Sequence, residues 1–433
     1  MTKKSIKSYT KAGLDRRAFL KTTAIAAGGA LAGGSILAAP AVHAQDAVTL
    51  RLAGTGVNAY NEIAQKAKED TGLNIEYTTL VSDDVVRRAV TQPTSFDLLD
   101  TEYWMLKKII PTGNILGMDT KRISNFDKIV PIFTKGQLTD GTPISDQGTA
   151  PFEVSFLEEE GGKTFSSGTS EFMTAIPTVY NADTLGIRPD LIDRPIESWA
   201  ELLNPEFKGK AAILNIPSIG IMDAAMVMEA IGEVEYADKG NMTRQEIDQT
   251  IARLIEAKAE GQFRAFWKDF NESVNLMASG EVVIQSMWSP AVTAVREQGI
   301  PCVYQPLKEG YRAWAAGLTV PTHLQGKQLD AAYEFVNWYL DGWVGAFLNR
   351  QGYYTAVLDT AKEQMSADEW GFWMEGKAAS GVIKSPDGKE LEKAGATRDG
   401  GSFWERMGSV ACWNAVMDED RYMVRKWNEF IAA

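Results

Sequence analysis

The sequence predicts an α/β fold, and two stretches of the 433-residue chain carry that prediction. From Val48 to Asp100, short apolar runs alternate with segments of helical spacing, which is typical of a doubly wound sheet. From Glu281 to Thr319 the order strand, helix, strand recurs. A chain of this length is long enough for two domains or for one large body with two lobes.

The first stretch opens with Val48–Ala53, whose alternating pattern predicts a β-strand. The loop Gly54-Thr55-Gly56 follows and leaves backbone N–H groups accessible, which makes Thr55 a candidate binding residue. Asn58 to Thr71 has helical spacing and is ended by Gly72. A second strand over Leu73 to Leu80, a helix over 83–90 and a strand over 95–100 complete the predicted alternation.

The second stretch places an indole at a strand end. Val282-Val283-Ile284 is short, apolar and β-branched, which indicates a buried strand. Ser289 is expected to cap a helix that begins at Pro290, where a missing N–H does no harm. Trp288 therefore lies at the carboxyl end of a strand and beside a helix N-terminus, where ligands collect in open α/β sheets.

A similar strand-to-helix junction is predicted between these two stretches. Ala211–Leu214 reads as a strand, and Ser218 is expected to be the N-cap of a helix over Met222 to Ile231. Asp330 to Leu348 is predicted to be a long helix, with a turn at Gly352–Thr355 after it.

The N-terminus has the features of an export signal. Seven Lys or Arg residues and one Asp occupy residues 1–21, and Arg16-Arg17 lies in a string that resembles the twin-arginine signal. An uncharged Ala/Gly-rich stretch and the small-residue site Val42–Ala44 follow, as in a cleaved signal peptide. The alternative is an N-terminal membrane anchor, for which this stretch is just long enough but weakly apolar. Cleavage after residue 44 predicts a protein exported to the periplasm through the twin-arginine pathway.

The charge of the chain argues against two classes of partner. Its formal net charge is −13, and it becomes −19 when residues 1–44 are removed. This negative net charge disfavours nucleic acid and anionic membranes as partners.

Histidine content argues against most hydrolytic chemistry. Removal of the signal leaves His323 as the only histidine, whereas zinc sites and Ser/His or Cys/His nucleophiles need this residue. The sequence has no Walker A motif and no dinucleotide fingerprint. We therefore expect no catalytic residues, no metal and no cofactor; a carboxylate-dependent hydrolase remains the alternative. Cys302 and Cys412 could be a disulfide or two free buried thiols.

Four segments resemble the periplasmic solute-binding proteins of ABC importers, of the spermidine/putrescine-binding type. They are Thr174–Asn181, the string SWAELLNPEFKGK from Ser198 with the strand after it, Leu276–Thr293 and Ala331–Thr355. The resemblance covers most of the mature chain. It implies two α/β lobes joined by crossing strands, with the ligand clamped between them. Residues 45–175 and 316–433 would form lobe 1, and residues 176–315 would form lobe 2.

The resemblance also implies a monomer that captures a small-molecule solute and passes it to an ABC permease in the inner membrane. A role as the ligand-sensing partner of a receptor is compatible with the same fold. Aromatic cleft positions match at Trp288, Trp314 and Tyr353. Tyr180, at the first expected crossing of the chain near Ile176–Tyr180, is a further candidate ligand-binding residue. The second crossing is expected near Tyr311–Leu318.

The acidic residues of polyamine-binding relatives are replaced in this chain. Asn215, Pro217 and Ser218 stand where those proteins carry acids at a helix start, and Ala315 and Ala316 stand where they carry Asp. A diamine would lose charge-assisted hydrogen bonds worth about 1.5–3 kcal/mol each.

Two hypotheses for the cargo follow from these replacements. An aromatic cage could hold one cationic head, because each ring face attracts a cation by about 0.5–2 kcal/mol. Alternatively Thr55, the helix start at Ser218 and Arg312 could hold an anionic group. An amino-acid-like zwitterion would use both arrangements.

Overall fold

The computed structural model describes residues 48–433. The predicted twin-arginine signal and its cleavage site lie outside the described residues. No helix within the described range combines the length and the apolar character needed to cross a membrane.

The described residues form seventeen strands, most of them short. They are β1 Thr49–Gly54, β2 Asn74–Thr79, β3 Leu98–Glu102, β4 Ile115–Leu116, β5 Met118–Asp119, β6 Phe156–Leu157, β7 Phe172–Met173, β8 Ile176–Ile187, β9 Ala211–Leu214, β10 Phe263–Trp267, β11 Ile284–Met287, β12 Val303–Tyr304, β13 Tyr311–Pro321, β14 Tyr354–Thr355, β15 Ile383–Lys384, β16 Glu390–Glu392 and β17 Val410–Trp413.

Thirteen α-helices in the same range alternate with these strands or close the chain. They are α1 Asn61–Thr71, α2 Ser82–Thr91, α3 Leu106–Ile109, α4 Pro217–Ala230, α5 Arg244–Ala259, α6 Phe270–Ser279, α7 Ser289–Arg296, α8 Gly326–Tyr339, α9 Trp343–Asn349, α10 Leu358–Glu363, α11 Ala367–Trp373, α12 Phe403–Gly408 and α13 Asp420–Ala432. The predicted α/β class is confirmed.

The main sheet joins two parallel groups of strands through a central antiparallel pair. Its order is β10-β9-β11-β8-β13-β3-β1-β2. Strands β1, β2 and β3 are parallel to one another, as are β9, β10 and β11. Between the groups, β8 and β13 pair antiparallel from Asp183 with Arg312 to Ile176 with Leu318. The carboxyl ends of both parallel groups are therefore the natural places for a ligand.

The two central strands, β8 and β13, are both long and completely buried. Such burial is expected for strands covered on both faces. Apolar residues dominate both strands. Asn181, Asp183 and Arg312 hydrogen-bond inside the protein, whereas Tyr180 Oη and Trp314 Nε1 have no partner among residues 48–433. Aromatic rings of Phe133, Tyr180, Tyr354 and Phe403 pack around β8, with ring centroids 4.9–6.2 Å apart.

Two predicted helix starts differ from those observed. Helix α4 begins at Pro217 with Ile216 as its N-cap, so Ser218 lies inside the first turn. Helix α7 begins at Ser289, with Trp288 as its N-cap. In both cases proline occupies the first turn, and this turn starts one or more residues earlier than the serine suggests.

The two cysteines are free and buried. Burial raises the pKa of both thiols to about 12. Of the two alternatives for Cys302 and Cys412, the structure has the pair of free thiols.

Candidate ligand-binding cleft

A cavity of about 670 Å³ lies where the two parallel strand groups meet. Its lining comes from residues at or just after the carboxyl ends of six strands: Thr55 after β1, Glu102 in β3, Ile216 after β9, Lys268 after β10, Trp288 after β11 and Asn414 after β17. Trp314 of β13 and Tyr353 complete the inner part. This volume suits a small molecule.

The buried carboxylate of Glu102 lies in the lining of this cavity. Its Oε2 atom accepts hydrogen bonds from Trp104 Nε1 at 2.7 Å and from Asn414 Nδ2 at 3.1 Å. Within the described residues, no side chain or backbone group donates to Oε1. Burial raises the pKa of Glu102, although these two donors and the charge of Arg312 oppose the shift. Glu102 thus offers a partly desolvated acceptor to a ligand.

Asn414 connects Glu102 to a buried charge cluster. The amide oxygen of Asn414 accepts a hydrogen bond from Arg312 Nη1 at 2.7 Å. Arg312 also donates to Asp223 at 2.6 Å and to Asp183 at 3.3 Å. Burial raises the pKa of Asp183 to about 7, against the opposing charge of Arg312. The cluster holds three carboxyl groups and one guanidinium, so its formal balance is negative.

Aromatic rings form two sides of the cavity. Trp288 meets Trp267 edge to face, with ring centroids 4.7 Å apart and an interplanar angle of 89°. Trp314 and Tyr353 meet in the same manner at 5.9 Å and 83°. Such contacts hold each lining ring in a fixed orientation.

Two lining residues carry buried polar atoms without a protein partner among residues 48–433. They are Thr55 Oγ1 and Trp314 Nε1. A buried donor left unpaired costs about 1–3 kcal/mol. A ligand that reached these atoms would recover part of that cost.

The structure brings four of the seven predicted site residues together. Thr55, Trp288, Trp314 and Tyr353 all line the cavity. Their position does not by itself establish contact with a ligand, and their binding role stays a prediction.

The other three predicted residues are not part of the lining. Tyr180 is fully buried in β8, where it packs against Tyr354 and Phe403. Ser218 is buried in the first turn of α4 and is not part of the lining, although Ile216 and Ile219 on either side of it are. Arg312 is buried, and its guanidinium already donates to Asp223, Asn414 and Asp183. Its guanidinium is paired with two carboxylates in this structure, and its contact with an anionic ligand stays a prediction.

Residues that the sequence reasoning missed include Tyr60, Glu102, Asp269, Phe270 and Asn414. All five line the cavity. Glu102 ends β3, so the same strand-end rule that singled out Trp288 could have found it. Asn414 could not be found in this way because it follows β17, a strand that the sequence analysis did not predict.

A cleft between the carboxyl ends of two parallel strand groups, joined by a long antiparallel pair, defines a solute-binding protein. The profile of the bacterial extracellular solute-binding protein family matches residues 62–372. The chain therefore belongs to this family, whose members are substrate-binding proteins of transporters. Within the described range, no three or more His, Cys, Asp or Glu side chains form a group that could hold a metal ion.

Known relatives agree with this assignment. The chain is 23% identical to the spermidine/putrescine-binding periplasmic protein of Escherichia coli K12 over 314 residues, which cover 71% of this chain and 77% of that protein. The spermidine/putrescine ABC transporter substrate-binding protein of Streptococcus pneumoniae has a similar fold, with a TM-score of 0.57 at 15% identity over 89% of this chain and 98% of that one. The structure of a GABA receptor also has a similar fold, with a TM-score of 0.55 at 19% identity over 88% of this chain and 97% of that one. These likenesses confirm the two-lobed periplasmic-binding-protein fold.

Proposed function

We propose that this protein is the periplasmic substrate-binding component of an ABC importer and that its cargo is a small solute with a positively charged amino group. The charge of the cargo is inferred from one observation. The buried carboxylate of Glu102 lies in the cavity lining, and no group among residues 48–433 donates a hydrogen bond to its Oε1 atom. A cation is the natural partner of such a group, because charge-assisted hydrogen bonds are about twice as strong as neutral ones.

The surroundings of Glu102 support the same charge. In the part of the chain that the structure describes, Arg312 is the one basic side chain hydrogen-bonded within the cluster behind Asn414, and Asp183 and Asp223 already pair with it. Trp288, Trp314 and Tyr353 add aromatic faces, each of which attracts a cation by about 0.5–2 kcal/mol. We therefore propose Glu102, Thr55, Trp288, Trp314 and Tyr353 as ligand-binding residues.

An anionic cargo is the second candidate, because four helices begin beside the cavity. They are α2, α4, α6 and α7, and a helix N-terminus carries roughly half a positive charge. Acids in or before the first turn offset two of them: Asp83 and Asp84 in α2, and Asp269 at α6. The inner part of the cavity, however, contains the carboxyl group of Glu102, which an anion would have to approach.

The remaining parts of the proposal rest on the sequence and on the relatives. Export through the twin-arginine pathway, a monomeric state and delivery to an inner-membrane permease follow from the predicted signal and from the family. The lobe boundaries proposed are 45–175 with 316–433, and 176–315. The identity of the cargo is not taken over from the E. coli relative, because that protein is only 23% identical to this chain.

Calorimetric titration of residues 45–433 with amines, amino acids, small carboxylates and sugars tests the proposal, after a thermal-shift screen. A ligand at 100 times its dissociation constant should stabilise the protein by about 2.7 kcal/mol. Glu102→Gln keeps the shape and the hydrogen-bond acceptor but removes the charge. It should weaken amine binding by about 10- to 100-fold, since a charged hydrogen bond contributes about 1.5–3 kcal/mol.

Glu158→Gln is the matched control, because Glu158 is exposed and is not part of the cavity lining. Binding of carboxylates but not amines would contradict the proposed charge of the cargo. Equal affinities for the wild type and Glu102→Gln would remove Glu102 from the site. Chemical turnover of the bound solute would favour the hydrolase alternative.

A further inference from the structure

Charge is distributed unevenly along the cavity. The inner part contains Glu102, Asn414, Trp314 and Tyr353, all of them buried. The outer part contains Lys268 and Asp269, both of them exposed. Among the described lining residues, these two and Glu102 are the only ones with a formal charge.

The outer acid is poorly suited to hold a second ammonium group. Asp269 Oδ1 already accepts a hydrogen bond from the backbone N–H of Glu272 at 2.9 Å, as the N-cap of α6. The adjacent Lys268 lines the same rim with the opposite charge. An exposed carboxylate beside a lysine, screened by water, adds little attraction for a cation.

Most of the remaining lining is apolar, beside the polar residues Thr79, Ser82 and Asn271. Val57, Leu80 and Ile216 are half-buried there, and Ile219 is buried. Val81 and Phe270 lie at the mouth and remain 54% and 38% exposed, which makes them two of the large apolar side chains that the described protein leaves in water. Apolar side chains left in water at a cavity mouth favour an apolar ligand group, because covering them removes apolar surface from solvent.

We propose that the cargo is an amphiphilic monoamine, with one protonated amino group at Glu102 and an alkyl or aryl body along Val57, Leu80, Ile216 and Ile219 towards Phe270. This inference rests on the proposed function and specifies its substrate class. A diamine would place its second charge in the apolar part of the cavity or beside the Lys268–Asp269 pair. A monoamine of the same length avoids that desolvation.

The test compares two ligands of equal length, hexylamine and 1,6-diaminohexane, by calorimetry with residues 45–433 at pH 7. Hexylamine is expected to bind at least tenfold more tightly than 1,6-diaminohexane. Phe270→Ser should lower the affinity for hexylamine several-fold and leave that for the diamine nearly unchanged. Phe270 is exposed, so this variant should fold, and its melting temperature verifies that it does.

Asp269→Asn tests whether the outer carboxylate holds a second ammonium group. Asparagine is an equally good N-cap, so the variant keeps α6 intact. It should change neither affinity. Tighter binding of the diamine, or a diamine affinity that falls in Asp269→Asn, would overturn the monoamine proposal while leaving the proposed function in place. Failure of both amines to bind, with binding of carboxylates or sugars, would overturn the proposed function as well.

Discussion

At the scale of single residues, substitution of Trp288 tests directly whether the aromatic rings of the cavity bind the ligand. Trp288→Ala should weaken amine binding by about 2- to 30-fold, which corresponds to the 0.5–2 kcal/mol of a cation–π contact. Trp288→Phe keeps an aromatic face and should lose less. Titration calorimetry of both variants measures the difference.

Trp288 also packs against Trp267, so the melting temperature of each variant must be compared with that of the wild type. Affinity unchanged in Trp288→Ala would mean that this indole serves packing alone.

Residue-scale prediction succeeded where local sequence decides position. Trp288 follows an apolar run directly, so its place at a strand end could be read from its neighbours. Arg312 could not be understood in this way, because its partners Asp223 and Asp183 lie 89 and 129 residues away in the chain. A lone arginine in a sequence gives no sign that carboxylates meet it in the core.

At the scale of elements, the end of β1 depends on a residue without a side chain. A Cβ atom on Gly54 would lie 2.4 Å from Asp100 Cβ and 2.7 Å from the Asp100 carbonyl oxygen on β3. Gly54→Ala should therefore push β1 and β3 apart and cost about 1–3 kcal/mol of unfolding free energy. It should also weaken ligand binding, because Thr55 follows directly.

Urea denaturation measures the loss, and Gly168→Ala is the control, since nothing lies within 4 Å of its added Cβ. Equal stabilities of the two variants would show that the strands adapt without cost.

The sequence predicted the kinds of elements better than their limits. Ser198 precedes a 3-10 helix at Trp199–Leu203, and its side chain accepts a hydrogen bond from the backbone N–H of Ala200. The spacing of Ser198 and Glu201 is that of a capping box, but Glu201 binds Arg194 at 2.6 Å instead. Arginine competes for the carboxylate here, and this competition is not visible in the spacing of Ser198 and Glu201.

At the scale of the whole molecule, stability should depend on pH through Asp100. Burial raises the pKa of Asp100 from 3.8 to about 7, aided by Glu102 and opposed by the hydrogen bond from Asn58. Between these values the folded protein binds more protons than the unfolded chain. This group therefore lowers stability progressively as the pH rises from about 4 to about 7.

Asp100→Asn removes the titratable carboxyl group and keeps a side-chain oxygen that can accept the hydrogen bond from Asn58. The variant should lose less stability than the wild type over that pH range, by up to about 4 kcal/mol. Urea unfolding at several pH values measures both slopes. Parallel slopes would assign the pH dependence to other groups.

The sheet order has a consequence for how the chain is made. Strands β1, β2 and β3 leave the ribosome first, but the other edge of β3 pairs with β13, at Leu99–Glu102 with Ala316–Thr319. About two hundred residues are synthesised while that edge stays open. An uncovered strand edge invites wrong pairing, and long-range pairing folds slowly. Nascent chains truncated before residue 311 should therefore depend on chaperones far more than the completed protein does.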